Sequence, residues 1–337
     1  MENPTCMTLT LRFLACVLIS ACSAAPAAEP IRILFDTDMT TDCDDAGAMA
    51  VLHTLADRGE CEILATVTSV SDHRALATVD AINRYRGRPE LPLGLVRDGG
   101  VRMPSKFTNR IASDFPHRVT ATDTFPDAVA VYREILTNQP DRSVVLVTVG
   151  YLTNVSRFLQ SPGGVDLAKA KIVRWVCMGG NFIGEPPKDD LKLGNVNFQR
   201  DPAPAFHAIH HWPGEIVFAG REACSVPSGL AIGTSLAETP ANNPVRQAYE
   251  HYFDGKAKDR HVADLATVLF AVRGLTDCWD LSTPGRMNLR EDMTFDWAPA
   301  PEGRQRYLLK KRIDGQPNDQ HVESVLNELL VSPRAGN

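Results

Sequence analysis

IRILFDTDMTTDCDDAGAMAVL, residues 31–52, decides how this chain is read. Its first five residues are apolar or β-branched apart from Arg32 and predict a buried strand, while the Ala-rich run that follows Asp45 predicts a helix. Between the two lie Asp36, Asp38, Asp42, Asp44 and Asp45, five carboxylates within ten residues. Groups so close repel one another when ionised, and a hard cation with oxygen ligands is the usual means of making such a cluster tolerable. Aspartate also caps helices and suits their first turn, which explains one or two of the five. The whole set, placed directly after a strand, reads as a metal or catalytic site.

Outward from this loop, short β-branched runs alternate with longer segments of helical period. Strands are expected at 31–35, 63–67, 91–96, 144–149, 172–178 and 216–219. Helices are expected at 45–56, 74–85, 127–137 and 203–210, with further ones at 264–273 and 322–330. The alternation predicts an α/β fold with a mainly parallel, doubly wound sheet flanked by helices. In such sheets ligands collect beyond the carboxyl ends of the strands, so residues just after strands carry the most weight. The Pro-rich stretch 185–190 and the Gly/Pro-rich segment near Pro284 read as surface loops.

With 337 residues, 44% of them hydrophobic and 23% charged, the chain has the composition of a globular protein with a large core. A formal charge of -6 with acids and bases interspersed leaves no basic stripe, which excludes nucleic acid as the expected partner and favours small neutral ligands. Arg12, the apolar run 13–21 and the small residues up to Ala25-Pro26-Ala27 read as an export signal. The expected organisation is therefore a signal peptide over 1–28 and one domain over 29–337, with a periplasmic or secreted location. Ile19-Ser20-Ala21-Cys22 also resembles a lipobox, which makes a lipid anchor at Cys22 the alternative to simple cleavage. Beyond the signal stand Cys43, Cys61, Cys177, Cys224 and Cys278 without zinc-site spacing; they read as buried or partly exposed thiols, with room for one disulfide in an oxidising compartment.

The acidic loop, DTDMTTDCDD, resembles the N-terminal DxDxxxDD hallmark of the inosine-uridine preferring nucleoside hydrolase family, in the longer DTDxxxDxDD form of its exported members. The resemblance extends along the chain. LVTVGYLTNV is similar to the family's TGPLTN segment, VCMGGN and GNVNFQRDPAPA to its GG and AEFNxxxDPEAA segments, and HVADLATVLFAV to its HDPLAV-like segment. It implies calcium as cofactor, with Asp38, Asp45, the Val149 carbonyl and Asp264 as ligands and Asp38 also as general base towards water. It further implies that Asp44 and Asn197 hold ribose hydroxyls and that Met178 lines the pocket, with Asn181 as an extra ribose contact. Asn195 stands where the family has Glu, and Ala263 where several members have the His before the late Asp. His261 is then the nearest candidate to assist the leaving base, sharing a face with Asp264 if the helix begins before it. Asp42 belongs to the inserted residues and has no implied role.

The expected reaction is hydrolysis of the N-glycosidic bond of a small-molecule ribonucleoside, by a chain that is expected to form a homo-oligomer. Two other readings stand beside it. FDTDMT also fits the loop of haloacid-dehalogenase-like phosphotransferases, with Asp36 as nucleophile. The departures at Asn195 and Ala263 suit a non-catalytic ribose or nucleoside binder.

Overall fold

Burying a sheet on both faces calls for strands that are apolar along their length, and the central strands of this chain meet that demand. In the computed structural model the described residues are 1, 29–120, 125–183 and 196–334. Residues 2–28 of the expected export segment, with Cys22, lie outside them, as do the stretch 185–190 and Asn195.

The chain begins with β1 (Ile31–Thr37), α1 (Asp44–Asp57), β2 (Cys61–Thr68), α2 (His73–Tyr85) and β3 (Leu93–Leu95). There follow α3 (Thr108–Asp114), α4 (Ala128–Thr137), β4 (Val144–Thr148), α5 (Thr153–Gln160), α6 (Gly164–Lys171) and β5 (Ile172–Met178). After these come α7 (Val196–Arg200), α8 (Pro202–His211), β6 (Ile216–Ala219), α9 (Arg221–Cys224), β7 (Ala231–Ile232) and α10 (Pro244–Tyr252). The last part holds β8 (Arg260–His261), α11 (Ala263–Arg273), β9 (Trp279–Leu281), β10 (Gly285–Leu289), β11 (Phe295–Pro299), β12 (Gln305–Lys310), β13 (Arg312–Ile313), β14 (Gln316–Pro317) and α12 (Asp319–Val331).

Strands β3-β2-β1-β4-β5-β6 lie side by side in that order and are parallel throughout. β12 joins β6 in parallel, and β10 and β11 close that edge antiparallel. Every residue of β4 is buried, as is β1 from Ile33 onward. One face is covered by α1, α2, α10, α11 and α12, the other by α4, α5, α6 and α8. Because the order reverses at β1, the crossovers after β1 and β4 leave for opposite faces and open a crevice between their carboxyl ends.

The expected strands fall on β1 to β6 and the expected helices on α1, α2, α4, α8, α11 and α12. The segment near Pro284 is a short connection, 282–284, between β9 and β10 with Thr283 exposed, and Gly285 at its end opens β10, lying so close under Trp297 that a Cβ would sit 2.4 Å from the ring. One correction follows. The helix of the HVADLATVLFAV segment begins at Ala263, so His261 is on the short strand β8 and does not share a helix face with Asp264. Among the described residues the five cysteines, Cys43, Cys61, Cys177, Cys224 and Cys278, are all buried and none is paired. Among the described residues no helix is long and apolar enough to cross a membrane.

A buried polar relay ties the first helices to the sheet. Arg88 Nη1 lies 3.2 Å from His53 Nδ1, and His53 Nε2 lies 2.9 Å from Asn83 Oδ1. A guanidinium only donates, so Nδ1 accepts and Nε2 carries the proton, which makes the imidazole neutral. Asn83 in turn donates to Thr66 Oγ1 at 2.8 Å. Burial first, and then the charge of Arg88, holds the pKa of His53 down at about 3, from 6.5. With the folded value below the unfolded one, stability is fully present above pH 6.5 and is lost as pH falls from there towards 3. Between about pH 7.5 and about pH 5, wild type should lose about 2 kcal/mol more than His53→Gln in denaturant titrations. Equal losses in the two proteins would show that His53 is not the group responsible.

Candidate active site at the carboxyl ends of β1 and β4

The crevice between β1 and β4 is narrow because Gly150 follows β4 without a side chain. A Cβ there would lie 2.4 Å from the backbone nitrogen of Asp38 and 2.6 Å from Ser69 Oγ. The loop after β1 then turns sharply at Met39, a buried non-glycine residue with φ of 43°. Such a conformation costs about 1–2 kcal/mol, and it is held by bonds from Met39 N to Asp45 Oδ1 at 3.1 Å and to Thr37 Oγ1 at 3.2 Å. The Thr37 hydroxyl also donates to Asp45 Oδ1. The last residue of β1 thereby aims the first turn of α1.

Asp264, from the first turn of α11, reaches the same point from across the fold. Ligand oxygens of Asp44, Asp45 and Asp264 lie within 4.8 Å of one another. The positive ends of α1 and α11 both point at this place and favour negative charge there. That help is not enough. Burial, and after it the neighbouring acids, push Asp45 and Asp264 well above the usual carboxylate range, and Asp264 Oδ1 is buried with no hydrogen-bond partner. Burial raises the Asp38 carboxyl to about 6, although its contact with Asp45 and the charge of Arg200 act against it. Crowded carboxylates with an orphaned oxygen are the donor set of a hard divalent cation, so the residues present fit one.

Asp42, the inserted residue, has a different environment. Arg260 Nε lies 2.8 and 2.9 Å from its two oxygens, and His261 Nε2 lies 3.2 Å from Oδ2. Burial opposes the ionised form, but His261 and Arg260 hold the carboxyl well below its ordinary value. His261 Nδ1 is 3.1 Å from Asp44 Oδ2. Burial works against the imidazolium too, yet Asp44 and Asp42 outweigh it and raise the pKa of His261 to about 11. Arg260 was not legible as a site residue, since an Arg on a two-residue strand has no sequence signature of its own.

These residues line a cavity of about 300 Å³, at the small end of the range for ligand pockets. Asp38, Asp44, Asp45, Val149, Met178, Asn197, His261 and Asp264 all line it, joined by Asp42. Asn197 Nδ2 donates to the Val149 carbonyl at 3.0 Å and lies 3.5 Å from the sulfur of Met178. Asn181 is not brought in; it is buried beside Gly179 and Gly180 and does not line the cavity. Arg200, Arg221 and Tyr252 line the cavity without having been singled out in the sequence.

Asp36 belongs to a layer beneath. Its Oδ2 accepts from Tyr132 Oη at 2.7 Å and Asn154 Nδ2 at 3.0 Å, and it is 1% exposed and absent from the cavity wall. A carboxylate so placed has no path to an incoming phosphate, which overturns the reading of Asp36 as a phosphotransferase nucleophile. Thr153 and Asn154 also act inside the fold, Thr153 donating to Asp201 at 2.6 Å and Asn154 to the Thr68 carbonyl at 3.1 Å.

No protein-family model matches the sequence, and no curated protein matches it either. Solved structures share the fold. A plant nucleoside hydrolase superposes with a TM-score of 0.65 at 17% identity, over 90% of this chain and 100% of that one. The inosine-uridine preferring nucleoside hydrolase of Bacillus anthracis gives 0.60 at 15% identity, over 89% and 98%. The type III effector protein XopQ, solved in complex with adenosine diphosphate ribose, gives 0.59 at 16% identity, over 90% and 93%. At these identities the likeness is one of fold, and the chain has a nucleoside hydrolase-like fold.

Gly150 is the tightest constraint on the site. Gly150→Ala should force Asp38 away from β4, costing about 1–3 kcal/mol of stability and weakening divalent-cation binding in calorimetry. An unchanged cation affinity in the folded variant would show that this close approach does not set the position of Asp38.

Proposed function

We propose that this chain hydrolyses the N-glycosidic bond of ribonucleosides with the help of calcium. The observation that carries the reading is the convergence of Asp38, Asp44, Asp45 and Asp264, all buried, on one small cavity in a fold shared with nucleoside hydrolases. Asp38, Asp45, Asp264 and the Val149 carbonyl are the residues that would hold the ion. Calcium, when bound, supplies positive charge that acidifies water and attracts ribose hydroxyls.

The chain's own residues then divide the work. Asp38 takes the proton of the attacking water, a general-base contribution of typically about 10² to 10⁴-fold. Asn197 offers its amide to a ribose hydroxyl, and Asp44, steadied by His261, accepts from another. Met178 packs its thioether against the ligand. The remaining carboxylate charge favours the cationic sugar that develops as the bond to the base breaks.

The leaving base receives little help. Ala263 has no proton to give, and His261 has both ring nitrogens engaged by Asp42 and Asp44. An activated aryl riboside should therefore turn over well and inosine less well, with His261→Ala acting through the position of Asp44 and harming both substrates alike. A second reading, a ribosyl-compound binder that does not hydrolyse, draws on the effector solved with adenosine diphosphate ribose and on Ala263. Ligand binding without release of base over long incubation would select it.

A panel of ribonucleosides assayed for reducing sugar, with and without chelator, tests the proposal. Asp45→Ala should abolish tight calcium binding in calorimetry. Asp38→Asn should keep an oxygen ligand yet lower turnover by about 10² or more. Wild-type hydrolysis that survives exhaustive chelation would remove calcium from the reading.

A further inference from the structure

Most of the charge in the cavity is answered within it. Arg260 and His261 face Asp42 and Asp44, and the carboxylates of Asp38, Asp45 and Asp264 have the donor set of a divalent cation. Two guanidinium groups in the wall are left over. Among the described residues Arg200 has only hydroxyl neighbours at hydrogen-bond range, Thr41 at 3.3 Å and Tyr151 at 3.5 Å. Arg221 has no ion pair and no side-chain hydrogen bond among the described residues. Asp38 lies in electrostatic reach of Arg200 and Glu222 in that of Arg221, but neither carboxylate hydrogen-bonds these guanidinium groups, and a neutral nucleoside would add no anion to them.

We infer that the ribosyl compound taken by this cavity carries a phosphate group, held by Arg221 and Arg200. This rests on the ribosyl reading above and narrows its substrate class from nucleosides to phosphorylated ribosides. The guanidinium fork matches phosphate oxygens two at a time, and a half-buried one bonds them more strongly than it does a hydroxyl. Space is available as well, since the cavity meets a second one of about 510 Å³ along Thr41, Tyr252 and Arg260. Arg200 also lies in electrostatic reach of Asp38, so its loss affects every substrate, and the ratio between phosphorylated and plain substrate is the measure that isolates phosphate recognition.

The test compares adenosine with adenosine 5′-monophosphate by kcat/KM for adenine release, and ribose with ribose 5-phosphate by calorimetry, on the calcium-loaded chain. The phosphorylated member of each pair should be favoured by about tenfold or more at low salt, with the advantage shrinking as salt rises. Arg221→Gln and Arg200→Gln should each lower the kcat/KM ratio by about fivefold or more, and Arg221→Lys should restore part of it. Ribose 5-phosphate binding that depends on these arginines, with no base released from any compound, would support the phosphate site while removing hydrolysis. Hydrolysis of adenosine with no preference for the monophosphate, or a ratio untouched by both Gln variants, would overturn the inference and leave hydrolysis standing. If no ribosyl compound binds, both readings fall.

Discussion

Like charges cannot be buried side by side unless something answers them, and the acidic loop after β1 obliges the rest of the fold to do so. Ionised carboxylates a few ångströms apart in a medium of low polarity repel strongly. The loop nevertheless lies inside, with Asp36, Asp38, Asp44 and Asp45 each at most 6% exposed. Much of the surrounding architecture can be understood as the set of partners that makes this burial tolerable.

The partners come from different layers and treat each aspartate differently. Tyr132 of α4 and Asn154 of α5 serve Asp36 from beneath the sheet's carboxyl edge. Thr37 and the Met39 amide serve Asp45 from within the loop, which fixes the angle at which α1 departs. Arg260 and His261 serve Asp42 from the strand before α11. What is left without a protein cation among the described residues is the pair Asp45 and Asp264, with Asp38 beside them in electrostatic reach of Arg200, and this remainder of weakly answered charge is what gives the cavity its chemical character. The same five-residue cluster thus separates into a buried support in Asp36, a charge-paired anchor in Asp42, and the cavity-lining Asp38, Asp44 and Asp45, although all five are aspartates in one short segment.

How much of this was legible in the sequence follows from where the determinants lie. The strand, loop and helix of residues 31–52 could be read because all their signals are local: apolar run, carboxylate density, Ala-rich helix. The strands β1 to β6 were legible for the same reason, being mainly apolar, whereas β12, which joins β6 in parallel, carries Gln305, Arg306 and Lys310 and was not. β10 and β11 were not, since one side of each faces solvent and residues such as Arg286 and Asn288 interrupt the apolar pattern. Asp38, Asp45 and Asp264 could be named through a resemblance to a family motif, whereas the separate fates of Asp36 and Asp42 could not. Those depend on Tyr132, Asn154 and Arg260, and nothing local marks these three as partners of a loop so distant in sequence. Met178 and Val149 were named through the same resemblance, whereas Arg200, at the end of α7, and Arg221, two residues beyond β6, were not singled out and enter only when the cavity closes.

The clamp between Arg260 and Asp42 joins residues 218 positions apart. A contact of that span carries the closure entropy of the whole chain between, and it cannot form before the residues on either side of it have been placed. Until it closes, the acidic loop has neither Arg260 nor His261 to offset it, and Asp264 has not arrived to complete the cluster. β1 and α1 emerge early from synthesis, yet the chemistry they carry cannot exist in a nascent chain that stops short of α11. The site is therefore also a checkpoint of completeness: a truncated or incompletely folded molecule presents a repelling acidic loop in place of an assembled cavity.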